Sequence, residues 1–212
     1  MINPTCLVGI PGRPYLGRVD FQEVVARRRM VRSFEDRPVA PGSLDRILAN
    51  AQRGPSAGFS QGFAFLVLES AEQRARFWEL ASEEAWRAEP NWPGLPRAPV
   101  IIVALAHRQA YLDRYAEPDK ERPVGAVPVW IVDTAFAVML TLLSAVDAGL
   151  GALFFGLRHA DESALLGAFG VPAGFEAVGA IALGHPAADD RASASLRRGR
   201  RPPSEMIHRD RW

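Results

Sequence analysis

Val100-Ile101-Ile102-Val103-Ala104-Leu105-Ala106 is an unbroken apolar run, entered from a loop that carries Pro93, Gly94, Pro96 and Pro99. A strand with one solvated face alternates polar and apolar residues. This one does not, so it reads as a strand buried on both faces, with layers packed above and below it. Working outward, Phe63 to Glu69 (FAFLVLE) and Ala177 to Leu183 read as two further strands, and Ala152 to Phe155 as a short fourth. Helical patterns lie between them. A helix begins at the Asp20-Phe21-Gln22-Glu23 capping box and runs into Arg27-Arg28-Arg29. Leu44, Ile47, Leu48 and Ala51 form an apolar stripe on a second helix that follows Pro41 and stops at Gly54-Pro55. Ser70 and Gln73 open a third helix through about Ala88, and Asp161 to Phe169 form another, ended by Gly170 and Pro172. Interleaved helices and strands around a buried strand define a mixed α and β class with at least three core strands.

The remaining long apolar run, Val129 to Val146, is about the length of a membrane span. It holds Asp133, Thr134, Thr141 and Ser144 and no basic flank follows it, so it reads as a buried helix closed by Gly149 and Gly151. Between His107 and Pro128 lies a polar segment with Tyr111, Tyr115, Pro118 and Pro123, long for a plain connection and of the kind that forms lids or binding loops. Residues 1–20 read as an amino-terminal arm and 21–212 as one domain. The arm carries Pro4, Gly9, Pro11, Gly12 and Pro14 and lacks the basic head and apolar stretch of a signal peptide, so a cytoplasmic protein is expected.

Composition narrows the chemistry. The chain has 212 residues, 48% apolar and 23% charged, with a formal net charge of +1. That balance excludes a strongly basic nucleic-acid binder. A single cysteine, Cys6, rules out an internal disulfide and a cysteine-based zinc site. His107, His159, His185 and His208 form no ligand pair, so no metal is expected. Neither a GxSxG elbow nor a Walker loop occurs. What remains is anion-binding and ring-packing residues without a side-chain nucleophile, a pattern that points to borrowed cofactor chemistry.

Four stretches carry that pattern. Arg27 to Phe34 packs several guanidinium groups at a helix end, where they are either phosphate ligands or a solvated basic end helped by the macrodipole. Gly54 to Phe63 is a small-residue link between helix and strand in which Ser56, Ser60 and Gln61 offer polar contacts, though a plain turn explains it about as well. Gly149 to Gly156 has glycines that permit close backbone approach and phenylalanines that suit a planar ring or a buried core. Leu196 to Pro203 holds a second basic cluster, an anion contact or a solvated tail.

In order and spacing, these stretches resemble the flavin-dependent nitroreductase family from about Phe21 to Trp212. The carriers are Arg28-Arg29-Met30-Val31-Arg32-Ser33-Phe34, then Pro55-Ser56-Ala57-Gly58-Phe59-Ser60-Gln61-Gly62-Phe63-Ala64-Phe65, then Gly149-Leu150-Gly151, Gly184-His185-Pro186 and Arg198-Gly199-Arg200. The resemblance implies an α+β fold with a central mixed or antiparallel sheet flanked by helices, an intertwined homodimer, and FMN at sites built from both subunits. By matching motif, Arg28, Arg29, the Met30 backbone, Arg198 and Arg200 would hold the phosphate and Arg32 would face the polar edge of the flavin. Pro55, Ser56, Ala57 and Phe59 would come from the other subunit, with Gln61 supporting that loop. Phe154, Phe155, Gly156 and Leu157 would line the ring, the Gly156 amide lying near the reactive nitrogen, and Asn91 matches a family asparagine on the pyrimidine edge. Tyr111, Tyr115 and Trp130 are candidates for a lid or, with Phe59, for the substrate pocket, with ordinary packing of the first three the equal alternative.

The sequence also departs from the family. Met30 stands where serine is usual, Phe59 where asparagine is usual, and Gly62-Phe63 where Pro-Trp is common. The implied activity is reduction of nitroaromatics, quinones or other small flat electron acceptors by NADPH or NADH in a ping-pong cycle. Two rivals remain at this stage. One is a flavin-fragmenting enzyme of the dimethylbenzimidazole-forming branch, suggested by the Ser-x-Gly-Phe pattern at Ser56 to Phe59. The other is a flavin-binding protein without turnover.

Overall fold

A computed structural model describes residues 20–83, 87, 91–121, 123, 125–157 and 161–212. Residues 1–19 of the expected 1–20 arm, with Cys6, lie outside the described residues, as do His159 and Ala88. Among the described residues six α-helices surround a four-stranded sheet: α1 (Phe21–Arg27), α2 (Pro41–Ala51), β1 (Phe63–Leu68), α3 (Ala71–Ala81), β2 (Val100–His107), α4 (Arg108–Tyr115), α5 (Val129–Asp147), β3 (Gly151–Phe155), α6 (Glu162–Ala168) and β4 (Phe175–Gly184). The strands lie in the order β1-β2-β4-β3, and each neighbouring pair is antiparallel.

The reading of Val100 to Ala106 holds, because all seven residues are buried and their alternation divides two cores. Ile101, Val103 and Leu105 pack on one face with Phe77 and Trp78 of α3 and Leu165 of α6. Val100, Ile102 and Ala104 pack on the other with Leu44 and Ile47 of α2 and Val138, Leu142 and Ala145 of α5. Burial of both faces removes apolar area from water twice over per unit length of strand, which makes β2 the structural spine.

Several expectations change in detail. The first helix stops at Arg27, and Arg28 turns the chain to extended backbone. Asp20 caps it by accepting from the Gln22 amide, while Glu23 pairs forward with Arg27 instead of reaching back. Ser70 accepts from the Gln73 amide as expected, and α3 closes at Ala81. The first part of the 107–128 segment is not an open loop: β2 passes straight into α4, whose Tyr111 is buried.

A larger difference concerns α5, which is buried on one face only and carries four polar residues on it. Asp133, Thr134, Thr141 and Ser144 face the core, while Val132, Phe136 and Met139, spaced at i, i+4 and i+7, are 36%, 45% and 47% exposed. Each inward group is satisfied: Thr134 and Thr141 donate to the carbonyls of Trp130 and Ala137 at 2.7 and 3.0 Å, and the Asn50 amide donates to Ser144 at 3.0 Å. The helix thus buries a mixed face, these four polar residues together with Ala137, Val138, Leu142 and Ala145, and a second apolar stripe faces outward beside α1, where Phe21 and Val25 are also exposed.

Candidate active site

The site grows from the segment after α1. Val31 donates its amide to the Ala152 carbonyl at 3.0 Å, and Met30 bridges Ala152 in parallel, so residues 29–33 lie along the outer edge of β3. This approach requires Gly151, since a Cβ there would come within 2.6 Å of Val31 Cγ2 and 2.9 Å of Pro186 Cγ. The second glycine of Gly149-Leu150-Gly151 thus serves strand against strand.

Asp190, distant in sequence, fixes the segment. Its carboxylate is 1% exposed, accepts from the amides of Arg32 and Ser33 at 2.7 and 2.9 Å, and pairs with Arg29. Next to it, Asp189 accepts from the Ser33 hydroxyl at 2.5 Å and pairs with Arg97 at 3.1 Å. The Ser33 hydrogen bond, followed by Arg97, holds the Asp189 carboxyl below the usual carboxylate range. Arg29, expected to hold phosphate, has its guanidinium engaged by Asp190. Arg28 is half-buried at the helix end, and Arg198 and Arg200 stand exposed on the carboxy-terminal segment.

Arg32 turns to a cavity of about 370 Å³ lined also by Trp78, Trp92, Leu153, Phe154, Phe155 and Gly156. Its guanidinium lies 5.0 Å over the Trp92 ring, and Trp78 stacks on Phe155 with centroids 5.5 Å apart and planes 9° from parallel. A second cavity of about 320 Å³ shares Arg32 and Trp92 and adds Asn91, Ser33, Asp189 and Arg191. The structure therefore unites Arg32, Asn91, Phe154, Phe155 and Gly156 from separate stretches. Leu157 packs on the adjoining core. An apolar wall meeting a polar rim is what a flat ring with one hydrogen-bonding edge requires, so these residues fit the isoalloxazine of a flavin.

The Pro55–Gln61 turn is elsewhere, packed on α4 and α5. The Ala57 amide donates to Asp133 at 2.7 Å, the Tyr111 hydroxyl donates to the same oxygen at 2.8 Å, and the Gln61 amide donates to Ser56 Oγ at 2.8 Å. From the other side Arg114 donates to the Gly58 carbonyl at 3.0 Å, held by two bonds of 2.7 Å to Asp119. The Arg114 hydrogen bonds draw the Asp119 carboxyl down to about 2. Phe59 and Gln61 take left-handed backbone, with φ of 57° and 51°, and the Phe59 ring is 77% exposed.

These contacts correct one expectation. Tyr111 is completely buried, and burial raises its hydroxyl to about 12, so it does not line a substrate pocket. Its ring fills the space beside Gly62, where a Cβ would collide with it, which accounts for glycine in place of the usual proline. Tyr115 lies under Gly58 with Lys120 5.2 Å from its ring centroid, and half-buried Trp130 carries Arg108 at 5.3 Å. Sequence reading missed Asp133, Asp190, Trp78 and Trp92. Only Asp133, a charge inside an apolar run, left a signal.

Helices around an antiparallel sheet, with a ring-sized cavity at the end of an edge strand, define an α+β architecture with a site for a flat ligand. The chain belongs to the nitroreductase family, whose model matches residues 25–185. It is 25% identical over 189 residues to the FMN reductase (NAD(P)H) of Bacillus subtilis, covering 87% of this chain and 71% of that one. A Desulfovibrio desulfuricans chain solved in complex with FMN is 26% identical with a TM-score of 0.67, over 92% of this chain and 99% of that one. A nitroreductase family protein from Clostridium novyi superposes with a TM-score of 0.64 at 24% identity, covering 80% and 87%.

Proposed function

We propose that the protein is an FMN-dependent NAD(P)H oxidoreductase that reduces nitroaromatics, quinones or similar flat acceptors. The observation that carries this reading is the cavity in which Arg32 and Asn91 form the polar rim and Leu153 to Gly156 the apolar wall. When bound, FMN would supply the hydride-transfer chemistry. The chain's own residues would bind, orient and exclude water. Arg32 would face the pyrimidine edge with Asn91 beside it, Phe154 and Phe155 would support the ring, and the Gly156 amide would lie toward the reactive nitrogen. Arg28, with Arg198 and Arg200, meets the phosphate, a dianion that calls for several fork-shaped donors. Arg29 contributes through its pair with Asp190, which fixes the backbone of residues 29–33.

A homodimer completes the site in this reading. Two features support it: the outward stripe of Val132, Phe136 and Met139 beside Phe21 and Val25, and the Pro55–Gln61 turn that presents Phe59 to the outside. Pro55, Ser56, Ala57 and Phe59 then close the partner's cavity, with Phe59 as an aromatic wall for the acceptor. A cytoplasmic setting, where nicotinamide nucleotides are supplied, suits the activity. Steady-state kinetics with NADPH or NADH and a quinone test it. Parallel double-reciprocal lines are expected as both concentrations vary, and no acceptor-dependent NAD(P)H oxidation with any flat acceptor would refute it.

A further inference from the structure

The Pro55–Gln61 turn is clamped from two sides by groups that no cofactor role uses. On the inner side Asp133, 4% exposed in α5, receives the Ala57 amide and the Tyr111 hydroxyl on one carboxylate oxygen. On the outer side Arg114 of α4 holds the Gly58 carbonyl and is itself gripped by Asp119 and Glu117. Between the clamps the backbone passes through left-handed conformations at Phe59 and Gln61, which non-glycine residues adopt only at a cost and which persist where surroundings over-determine them. An exposed ring on such a backbone has no core contacts to fix it. Its direction is set by the turn beneath it.

We infer that Asp133 is a positioning residue for electron-acceptor selection: with Arg114 it locks the Pro55–Gln61 turn so that Phe59 is presented in one pose as the flat wall of the acceptor site. The inference rests on the reading above that this turn closes a flavin cavity. Tyr111 is part of the same clamp. Its hydroxyl remains protonated across the working range, so it serves as a fixed donor and does not relay protons.

The test replaces Asp133 with alanine and with asparagine, which retains an acceptor oxygen for the Ala57 amide. Backbone hydrogen exchange is followed on the protein as purified, alongside kinetics with a naphthoquinone and with ferricyanide, an outer-sphere acceptor that needs no flat pocket. In Asp133→Ala, loss of a buried acceptor for two donors should speed exchange across residues 57–61 about tenfold and raise the quinone KM by a few-fold, with ferricyanide turnover within about twofold of the parent. Asp133→Asn should recover most of the loss. Unchanged exchange in the turn, or equal losses for both acceptors with exchange raised throughout the chain, would overturn the assignment. If Asp133→Ala does not fold, Arg114→Ala tests the outer clamp, with a smaller rise in the same two readings expected and no rise contradicting it. A parent that binds no FMN would refute the flavin reading, while exchange in the turn would still decide whether the clamp exists.

Discussion

The wall at the end of β3 and the Pro55–Gln61 turn serve one proposed site but are built by opposite means. Leu153 to Gly156 are held by the sheet ladder and the stacked Trp78, so apolar packing fixes them. The turn is held by hydrogen bonds to buried Asp133 and Tyr111 and half-buried Arg114, and it presents an exposed phenylalanine. The wall is complete within one chain. The turn and the outward face of α5 are uncovered in the single chain, and in the proposed dimer a second copy presenting the same surfaces would cover them reciprocally.

The most disruptive way to break this comparison is a charge on the uncovered face. Phe136→Glu places a carboxylate in the proposed interface, where its desolvation opposes association. Sedimentation should show monomers, and FMN should be lost with the dimer; a dimeric, flavin-loaded variant would separate the turn from the site. Next in size is Arg28→Ala. Loss of a charge-assisted bond to phosphate, worth roughly 1.5–3 kcal/mol, should weaken FMN binding by about tenfold or more in fluorescence titration.

A third prediction isolates the polar clamp. The Tyr111 hydroxyl is raised to about 12 from an ordinary value near 10, so the folded chain holds this proton more tightly than the unfolded one. Its stabilising share is fully present below about pH 10 and is lost as pH rises toward 12, on the order of 2 kcal/mol in all. Denaturant unfolding of Tyr111→Phe should show a shallower alkaline decline than the parent, at the cost of a lower plateau near neutrality. The smallest effect is expected of Phe59→Ala. Because the ring is mostly exposed, Tm should move little, while the quinone KM rises by a few-fold.

What could be read in the sequence follows the same division. The wall was legible because apolar runs, glycines and paired phenylalanines are local signals, and Val100 to Ala106 announced a doubly buried strand. Arg32 and Asn91 were legible only through resemblance to a family. The clamp was not: Asp133 meets Ala57 across 76 positions and Asp190 meets Arg32 across 158, and no local pattern encodes such pairings. The sequence marks α5 as a buried helix, and its outward face is not legible there: the core takes the four polar residues that are satisfied in it along with Ala137, Val138, Leu142 and Ala145, and leaves Val132, Phe136 and Met139 outside. Tyr111 was misplaced, since an aromatic residue in a polar segment resembles a pocket residue until its hydroxyl is seen on Asp133.

The central claim is that the Arg32–Gly156 cavity holds FMN poised for hydride transfer. The most direct measurement is the visible absorption spectrum of the purified protein, repeated anaerobically after addition of NADPH or NADH. A flavin spectrum that bleaches on addition and returns with a quinone is the predicted result. A colourless protein that cannot be reconstituted with FMN would contradict the account.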